Sequence, residues 1–344
     1  MYVLFGVSRE ADSFFIDKGE KMFFEEKFFE KEIRCGFEIP ELMKRAWAAQ
    51  MEVLQVVIDI CQNNKLRYYA TGGTLLGAVR HKGYIPWDDD IDIALIREDY
   101  NELIKILPEQ LPYGFVIGGI FSPEKKYWEN TKCDYLMVMS DRELWKTEEY
   151  IQRFHGYPFN SASIDIFPLD HVPSDKKAYE VQNSLISMGL TIIDNWDALE
   201  ERKKLIDEIK KFEQQSSISL NRQYMKYDLL RTLDAIMSMY LSEEGDELDT
   251  YGWDCKIRSL KWYESQIIVP FENMEIAIPN GYEEVLTAIY GDWKKFEYNG
   301  AAHDYPYYRE MEADFRKRLK ADGISYTLEE FCKKLYTAVK QQKS

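Results

Sequence analysis

Cysteine and histidine are scarce in this chain of 344 residues, which has five of the first and four of the second. The cysteines (Cys35, Cys61, Cys133, Cys255 and Cys332) are odd in number, lie far apart and form no C-x-x-C pair. That pattern excludes a disulfide framework and a thiolate zinc cluster; reduced, buried thiols of a cytoplasmic protein are expected instead. His155, His171 and His303 show no metal-ligand spacing and read as structural, although His303 sits in an aromatic, polar stretch suited to lining a pocket. No run of about 18 apolar residues occurs, which excludes a transmembrane helix and leaves only peripheral membrane association open. The opening MYVLFGVSRE meets Arg9, Glu10 and Asp12 too early for a signal peptide. Positive charge is also short. With 44 Lys and Arg against 60 Asp and Glu, the formal net charge is -16, which argues against a surface for long nucleic acid. A local basic pocket for one nucleotide is unaffected by that balance. Neither an internal repeat nor a low-complexity linker is present.

What the chain does have is material for a core: 45% hydrophobic and 15% aromatic residues, enough to exclude disorder of the whole. Residues 1–40 are charged and Phe-rich, end at Pro40, and read as an accessory hairpin or strand pair. From Pro40 to Asn64, Leu42, Ala46, Ala49, Val53, Val56, Val57 and Ile60 recur at three and four residues, the period of an amphipathic helix. A short strand at 66–70 breaks at Gly72-Gly73, and a helical run follows over 74–80. The alternation Asp90-Ile91-Asp92-Ile93 predicts a strand over 90–96, and Glu98 to Gln110 a helix. Strands are expected at 115–121, 133–140 and 163–168, and long helices between about 174 and 241. Extended pieces at Ile267–Pro270 and Glu275–Ile278 precede a helix starting near Gly281, and the tail after about 310 is charged and helical. The fold class is therefore α+β, a mixed sheet flanked by helices with a helical extension in the second half.

The segment YATGGTLLGAVRHKGYIPWDDDID, Tyr69 to Asp92, carries the chemistry. A strand–Gly-Gly–helix junction brings backbone close to a ligand and presents unpaired N–H groups at a positive dipole end, a seat for phosphate at Gly72, Gly73 and Thr74. A lone Gly-Gly-Thr is weak evidence, since most such pairs are only tight turns. Asp90 and Asp92, two apart on a strand, point to one face. Adjacent anions repel and are costly to keep ionised without a counter-ion. Mg²⁺ or Mn²⁺ meets that need, since hard divalent ions take carboxylate oxygens and leave positions for substrate phosphates. Asp165, in Ser163-Ile164-Asp165-Ile166-Phe167, suits the same site as a third ligand.

Asp88, Asp90 and Asp92 also fit the start of a calcium loop, but Ile93 and Asp99 stand where that loop needs Gly and Glu. A solvated acidic turn accounts for Asp88 and Asp89 better than for acids interleaved with Ile91 and Ile93, so those two are secondary candidates. Arg80 and Lys82 could grip donor phosphate, with His81 beside them, or form a solvated basic turn. Trp87 could stack on a base or a quaternary ammonium, or simply pack in the core.

The run GGTLLGAVRHKGYIPWDDDIDIAL resembles the signature of the LicD family of phosphocholine transferases, relatives of the fukutin group. The likeness extends more loosely through SIDIFPLD (163–170) and IAIPNGYEEVLTAIYGDW (276–293), without the proline that usually follows YGD. On this likeness, a catalytic unit spans 41–310. It has a sheet core of about 41–172, a helical insertion of about 174–241 and a closing segment of about 260–300, followed by a tail at 311–344. The resemblance implies a nucleotidyltransferase-like fold and transfer of a phosphorylated alcohol, phosphocholine first, from a CDP-activated donor such as CDP-choline. The acceptor would be a hydroxyl of a cell-surface glycan or glycolipid (lipopolysaccharide, capsule, teichoic acid or a precursor), and CMP would leave. It places donor phosphates at Gly72 and Gly73 and the divalent metal at Asp90, Asp92 and Asp165, the triad the residues themselves suggest. Two other readings stand beside it: attachment of the nucleotide itself to an acceptor, and an inactive nucleotide-binding protein.

Overall fold

The computed structural model describes residues 21–129, 133–144, 147–157, 159, 162–197, 202–296, 306, 308–321, 323 and 327–341. His303 and the first 20 residues lie outside them. A hairpin of β1 (Glu32–Arg34) and β2 (Phe37–Ile39) leads into α1 (Glu41–Asn63). Then follow β3 (Tyr69–Ala70), α2 (Gly72–His81), β4 (Asp92–Ile96), α3 (Arg97–Gln110), β5 (Phe115–Gly119), β6 (Leu136–Ser140), α4 (Glu148–Arg153) and β7 (Ser163–Val172). These strands form one mixed sheet in the order β3-β4-β7-β6-β5, in which β4 and β7 are parallel and the other pairs antiparallel. The α+β class and the mixed sheet expected from sequence are what the chain adopts.

α1 is the spine of the core, and here the structure departs from the expectation of a one-sided helix. Trp47, Ala48, Ala49 and Val53 are fully buried, but so are Lys44, Arg45, Gln50 and Glu52. The polar side is covered by parts distant in sequence. Lys44 Nζ pairs with Glu32 of β1 at 2.8 Å, and Arg45 donates to the carbonyl of His155 at 2.6 Å. Glu52 holds Arg153 at 3.2 Å and His155 Nε2 at 2.6 Å. Periodicity reports which residues are apolar, not whether a later segment will supply partners for the polar ones.

After β7 come α5 (Lys176–Asp194), α6 (Arg202–Ser216) and α7 (Met225–Met237), which close a second, smaller core around Ile186, Phe212, Leu229 and Leu233. Short strands β8 (Glu247–Asp249) and β9 (Arg258–Ser259) extend the sheet from the far end of β7. They carry no readable alternation, and the sequence did not announce them. The hairpin β10 (Gln266–Phe271) and β11 (Met274–Pro279), α8 (Tyr282–Tyr290), α9 (Arg309–Ala321) and α10 (Leu328–Gln341) complete the chain. Among the described residues no helix is long and apolar enough to cross a membrane. Cys61 and Cys332 are buried as expected, whereas Cys35 and Cys255 are exposed, both at left-handed turn positions (φ 52° and 50°).

Candidate active site

The turn before β4 is held from beneath by α1. Trp47 Nε1 donates to the Asp88 carbonyl at 3.1 Å and Gln50 Nε2 to the Asp89 carbonyl at 2.8 Å. Tyr84 stacks flat on Trp47, ring centroids 4.4 Å apart. Satisfying these carbonyls from a buried helix fixes the acidic run in one conformation. Next, the Asp92 N–H donates to Thr74 Oγ1 at 2.8 Å, and the Thr71 N–H donates to the Asp92 carbonyl at 3.2 Å. The start of α2 is thereby clamped to the start of β4. The Thr74 hydroxyl is buried and spent on this clamp, so its role in the structure is to place Asp92.

Parallel pairing brings in Asp165. Asp92 and Asp165 are register partners on β4 and β7, and the Asp165 N–H donates to the Ile91 carbonyl at 3.0 Å. Residues two apart on a strand share a face, so Asp92, Asp165 and Phe167 look to the same side of the sheet. Tyr135 donates its hydroxyl to Asp165 Oδ2 at 3.1 Å. An aromatic layer continues from there: Tyr135 lies 4.5 Å from Phe167, which stacks on Trp253 at 4.6 Å and 15°.

Asp88, Asp89 and Asp90 each offer an oxygen within 4.8 Å of the other two. Asp92 is buried beside them, and its carboxyl is pushed well above the usual range, first by burial and then by the charges of Asp90, Asp165 and Asp88. Asp88 is raised in the same sense, by burial and by Asp90. Asp88 and Asp92 thus flank the diglycine bend, Asp90 stands with Asp88 and Asp89, and Asp165 joins through its register partner Asp92. A methyl group at Gly73 would stand 2.5 Å from Asp88 Oδ2, and one at Gly72 would stand 3.2 Å from Asp92 Oδ2. Asp88, a secondary candidate on sequence grounds, belongs to this group together with Asp90.

Arg80, His81 and Lys82 are placed differently. They end α2, eight to ten residues beyond Gly72, and eight residues of helix span about 12 Å. Arg80 donates to the Trp293 carbonyl at 3.3 Å and lies over the Phe296 ring at 4.0 Å. His81 meets the same ring edge-on at 5.7 Å, and burial lowers its pKa. Lys82 is the exposed, left-handed cap of the helix (φ 56°). Trp87 packs against Phe37, with centroids 6.2 Å apart. Arg80, His81 and Lys82 are not brought to the acids by the fold. Two residues that sequence reading passed over are. Tyr290, in the YGD of the closing segment, is partly exposed, yet the crowding around its hydroxyl, followed by the charges of Asp88 and Asp92, raises its pKa. Trp253 lies with its ring edge 2.6 Å from where a Gly72 Cβ would sit.

That last contact gives a direct test. Gly72 adopts φ 52°, a backbone region unfavourable to other residues, and its hydrogen faces the indole. Gly72→Ala is expected to lower stability by about 1–3 kcal/mol and to red-shift tryptophan emission as Trp253 is displaced. Denaturant titration followed by fluorescence reads both, and an unshifted spectrum would contradict the contact.

The acids also fit a divalent ion on chemical grounds. They supply only hard oxygen donors, and they crowd one another enough to raise the carboxyls of Asp88 and Asp92, a strain that a cation would relieve. Thr71 Oγ1, at the N-cap of that helix, is buried with no hydrogen-bond partner among the described residues. A ligand atom at the bend would satisfy it.

Comparison with known proteins finds the following similarities. Residues 65–187 match the model of the LicD/FKTN/FKRP nucleotidyltransferase domain. The chain is 25% identical over 255 residues to the lipopolysaccharide cholinephosphotransferase LicD of Haemophilus influenzae, covering 71% of this chain and 88% of that protein. An uncharacterized protein of Rickettsia prowazekii is 51% identical over 60 residues, 17% of this chain and 23% of that one. The mouse ribitol 5-phosphate transferase FKRP is 29% identical over 124 residues, 36% of this chain and 23% of its own length.

Proposed function

We infer that this chain, whose residues 65–187 match the LicD/FKTN/FKRP nucleotidyltransferase domain model, is a transferase of phosphorus-containing groups. It moves a phosphorylated alcohol, phosphocholine first, from a CDP-linked donor to a hydroxyl of a cell-surface glycan or its precursor. The observation that supports this reading is that Asp88 and Asp92 flank the start of α2, with Asp90 beside Asp88 and with Asp165 as the register partner of Asp92. Transfer of a phosphoryl group demands little covalent work from the protein; positioning and neutralisation of charge do most of it. Asp90, Asp92 and Asp165, with Asp88 beside them, would hold Mg²⁺ or Mn²⁺, which supplies that neutralisation when bound. The backbone N–H groups at Gly72 and Gly73 would take donor phosphate oxygens, with the helix dipole adding to the attraction. Asp165 would accept the proton of the attacking hydroxyl, and the Tyr135 hydrogen bond would hold its carboxyl in place. A cytoplasmic site of action fits a nucleotide-activated donor.

The test is product analysis with CDP-choline, CDP-ethanolamine, CDP-ribitol and CDP-glycerol, each with Mg²⁺ and a glycan extract. Release of free CMP together with a phosphoalcohol on the glycan is the expected result, abolished by EDTA. A glycan carrying the nucleotide, or turnover indifferent to EDTA, would overturn it.

A further inference from the structure

Away from the acids, the junction of the sheet with the helical unit carries a pocket that the transfer chemistry leaves unused. The segment between β5 and β6 supplies Lys125 and Trp128, the end of α5 supplies Trp196, and the approach to α7 supplies Arg222, Tyr224 and Tyr227. They enclose a cavity of about 370 Å³, within the range of small-molecule sites. Tyr227 lies against Trp128 with centroids 4.1 Å apart and a tilt of 30°, and Tyr224 meets the same indole edge-on at 5.8 Å. The Tyr227 hydroxyl donates to the Ile120 carbonyl at 3.2 Å, so this aromatic wall is anchored just beyond β5. Trp128 and Trp196 are half-buried and Tyr224 is exposed, leaving several large rings within reach of solvent.

Two of the three cations at the rim form ion pairs, Lys125 with Glu129 at 3.2 Å and Arg222 with Glu213 at 2.6 Å, and Lys226 is the third. These two cations each have a carboxylate beside them, so this part of the rim offers donors next to acceptors. A bare phosphate would meet Glu129 and Glu213 as repulsion. A sugar ring suits both parts of the site. Its C–H face lies on an aromatic plane, and its neighbouring hydroxyls each give and take a hydrogen bond, which a Lys–Glu or Arg–Glu pair answers in both directions. The pocket also lies at a useful place. Gly119, the last residue of β5, is the register partner of Leu136, next to the Tyr135 that holds Asp165. Two strand spacings, about 10 Å, separate β5 from the strand that bears Asp165.

We propose that this aromatic pocket binds a saccharide unit of the acceptor, removed from the hydroxyl that reacts. The proposal rests on the transferase reading for the word acceptor, but the binding itself is measurable without turnover. Saturation-transfer NMR on the full chain, with cellobiose, lactose, chitobiose and a hyaluronan tetrasaccharide and with no nucleotide or metal, is the experiment. At least one sugar is expected to bind through its ring C–H protons, with affinity falling at least tenfold in Trp128→Ala and in the exposed variant Tyr224→Ala. Mn²⁺ and CDP-choline binding should be unchanged in both variants. Absence of binding by all four sugars, sugar binding indifferent to both variants, or loss of CDP-choline binding in Tyr224→Ala (a nucleotide subsite) would each overturn the proposal. A wild-type chain that binds sugar but neither Mn²⁺ nor CDP-choline would instead count against the transferase reading alone.

Discussion

Asp92→Asn is expected to lose activity on the order of 10³-fold while making the metal-free protein more stable at neutral pH. The two effects have one cause. Burial and the charges of Asp90, Asp165 and Asp88 raise the Asp92 carboxyl well above its usual range, so the folded state holds a proton there more tightly than the unfolded chain does. Stability linked to such a group is fully present below the unfolded value, about 4, and is lost as pH rises through the higher folded value. The wild-type metal-free protein should therefore weaken as pH climbs from about 4 towards neutrality. The Asn variant, which carries no charge there and keeps a similar shape, should weaken less, and the gap should close on acidification. Adding Mg²⁺ should reverse the order. A ligand present at a hundred times its Kd stabilises by about 2.7 kcal/mol, and only the wild type would gain it in full. Thermal unfolding from pH 4 to 8, with and without Mg²⁺, measures all of this. A variant less stable than wild type in EDTA at pH 7 would mean that the acids do not strain one another, and the reading of the site as a cation seat would fail.

The parts of the fold and site that could be read in advance are those whose signal is local. Asp92 between Ile91 and Ile93, and Asp165 between Ile164 and Ile166, alternate with period two, so strand and face were legible there, whereas Asp90, expected on the same strand, lies just before it. That Asp92 and Asp165 would become register partners was not written in either stretch. Parallel neighbours are chosen by how whole strands fill the core, and here 72 residues intervene. Tyr135, Trp253 and Tyr290 were invisible for a related reason: each is one aromatic among 24 Tyr and 8 Trp, and only the packing of three distant segments gathers them near the acids. Arg80 shows the opposite error. It stands near the glycines in sequence, yet α2 carries it to the other end of its ten residues, where Phe296 receives it. Closeness along the chain implies closeness in space only where the backbone turns back. The Asp88 loop does turn back, because Trp47 and Gln50 hold its carbonyls.

A second large effect is expected far from the acids, at Asp170 in the PLD of the 163–170 stretch. Asp170 is fully buried and grips Arg97 through two bonds, Nε to Oδ1 at 2.5 Å and Nη2 to Oδ2 at 2.9 Å, while Nη1 of the same arginine reaches Asp234 of α7 at 2.9 Å. The guanidinium therefore ties three elements together: its own α3 beside β4, the end of β7, and the helical unit. Replacing such a pair by a well-packed apolar pair can be nearly neutral, but removing one partner leaves the other buried and uncompensated, at a cost of about 3–5 kcal/mol. Asp170→Ala is expected to lose stability of that size in urea denaturation, with Asp234→Ala losing less because its carboxylate is nearer solvent and Arg97 keeps its two-pronged partner. The double variant Arg97→Met with Asp170→Leu should recover most of the loss, since the fully buried pair is then gone and only Asp234, nearer solvent, is left without its arginine. If Asp170→Ala unfolds too readily to measure, the double variant still decides the matter. Stability near wild type identifies the penalty as uncompensated charge. A loss as deep as that of the single variant would mean that packing around Asp170, and not its ion pair, holds the helical unit to the sheet.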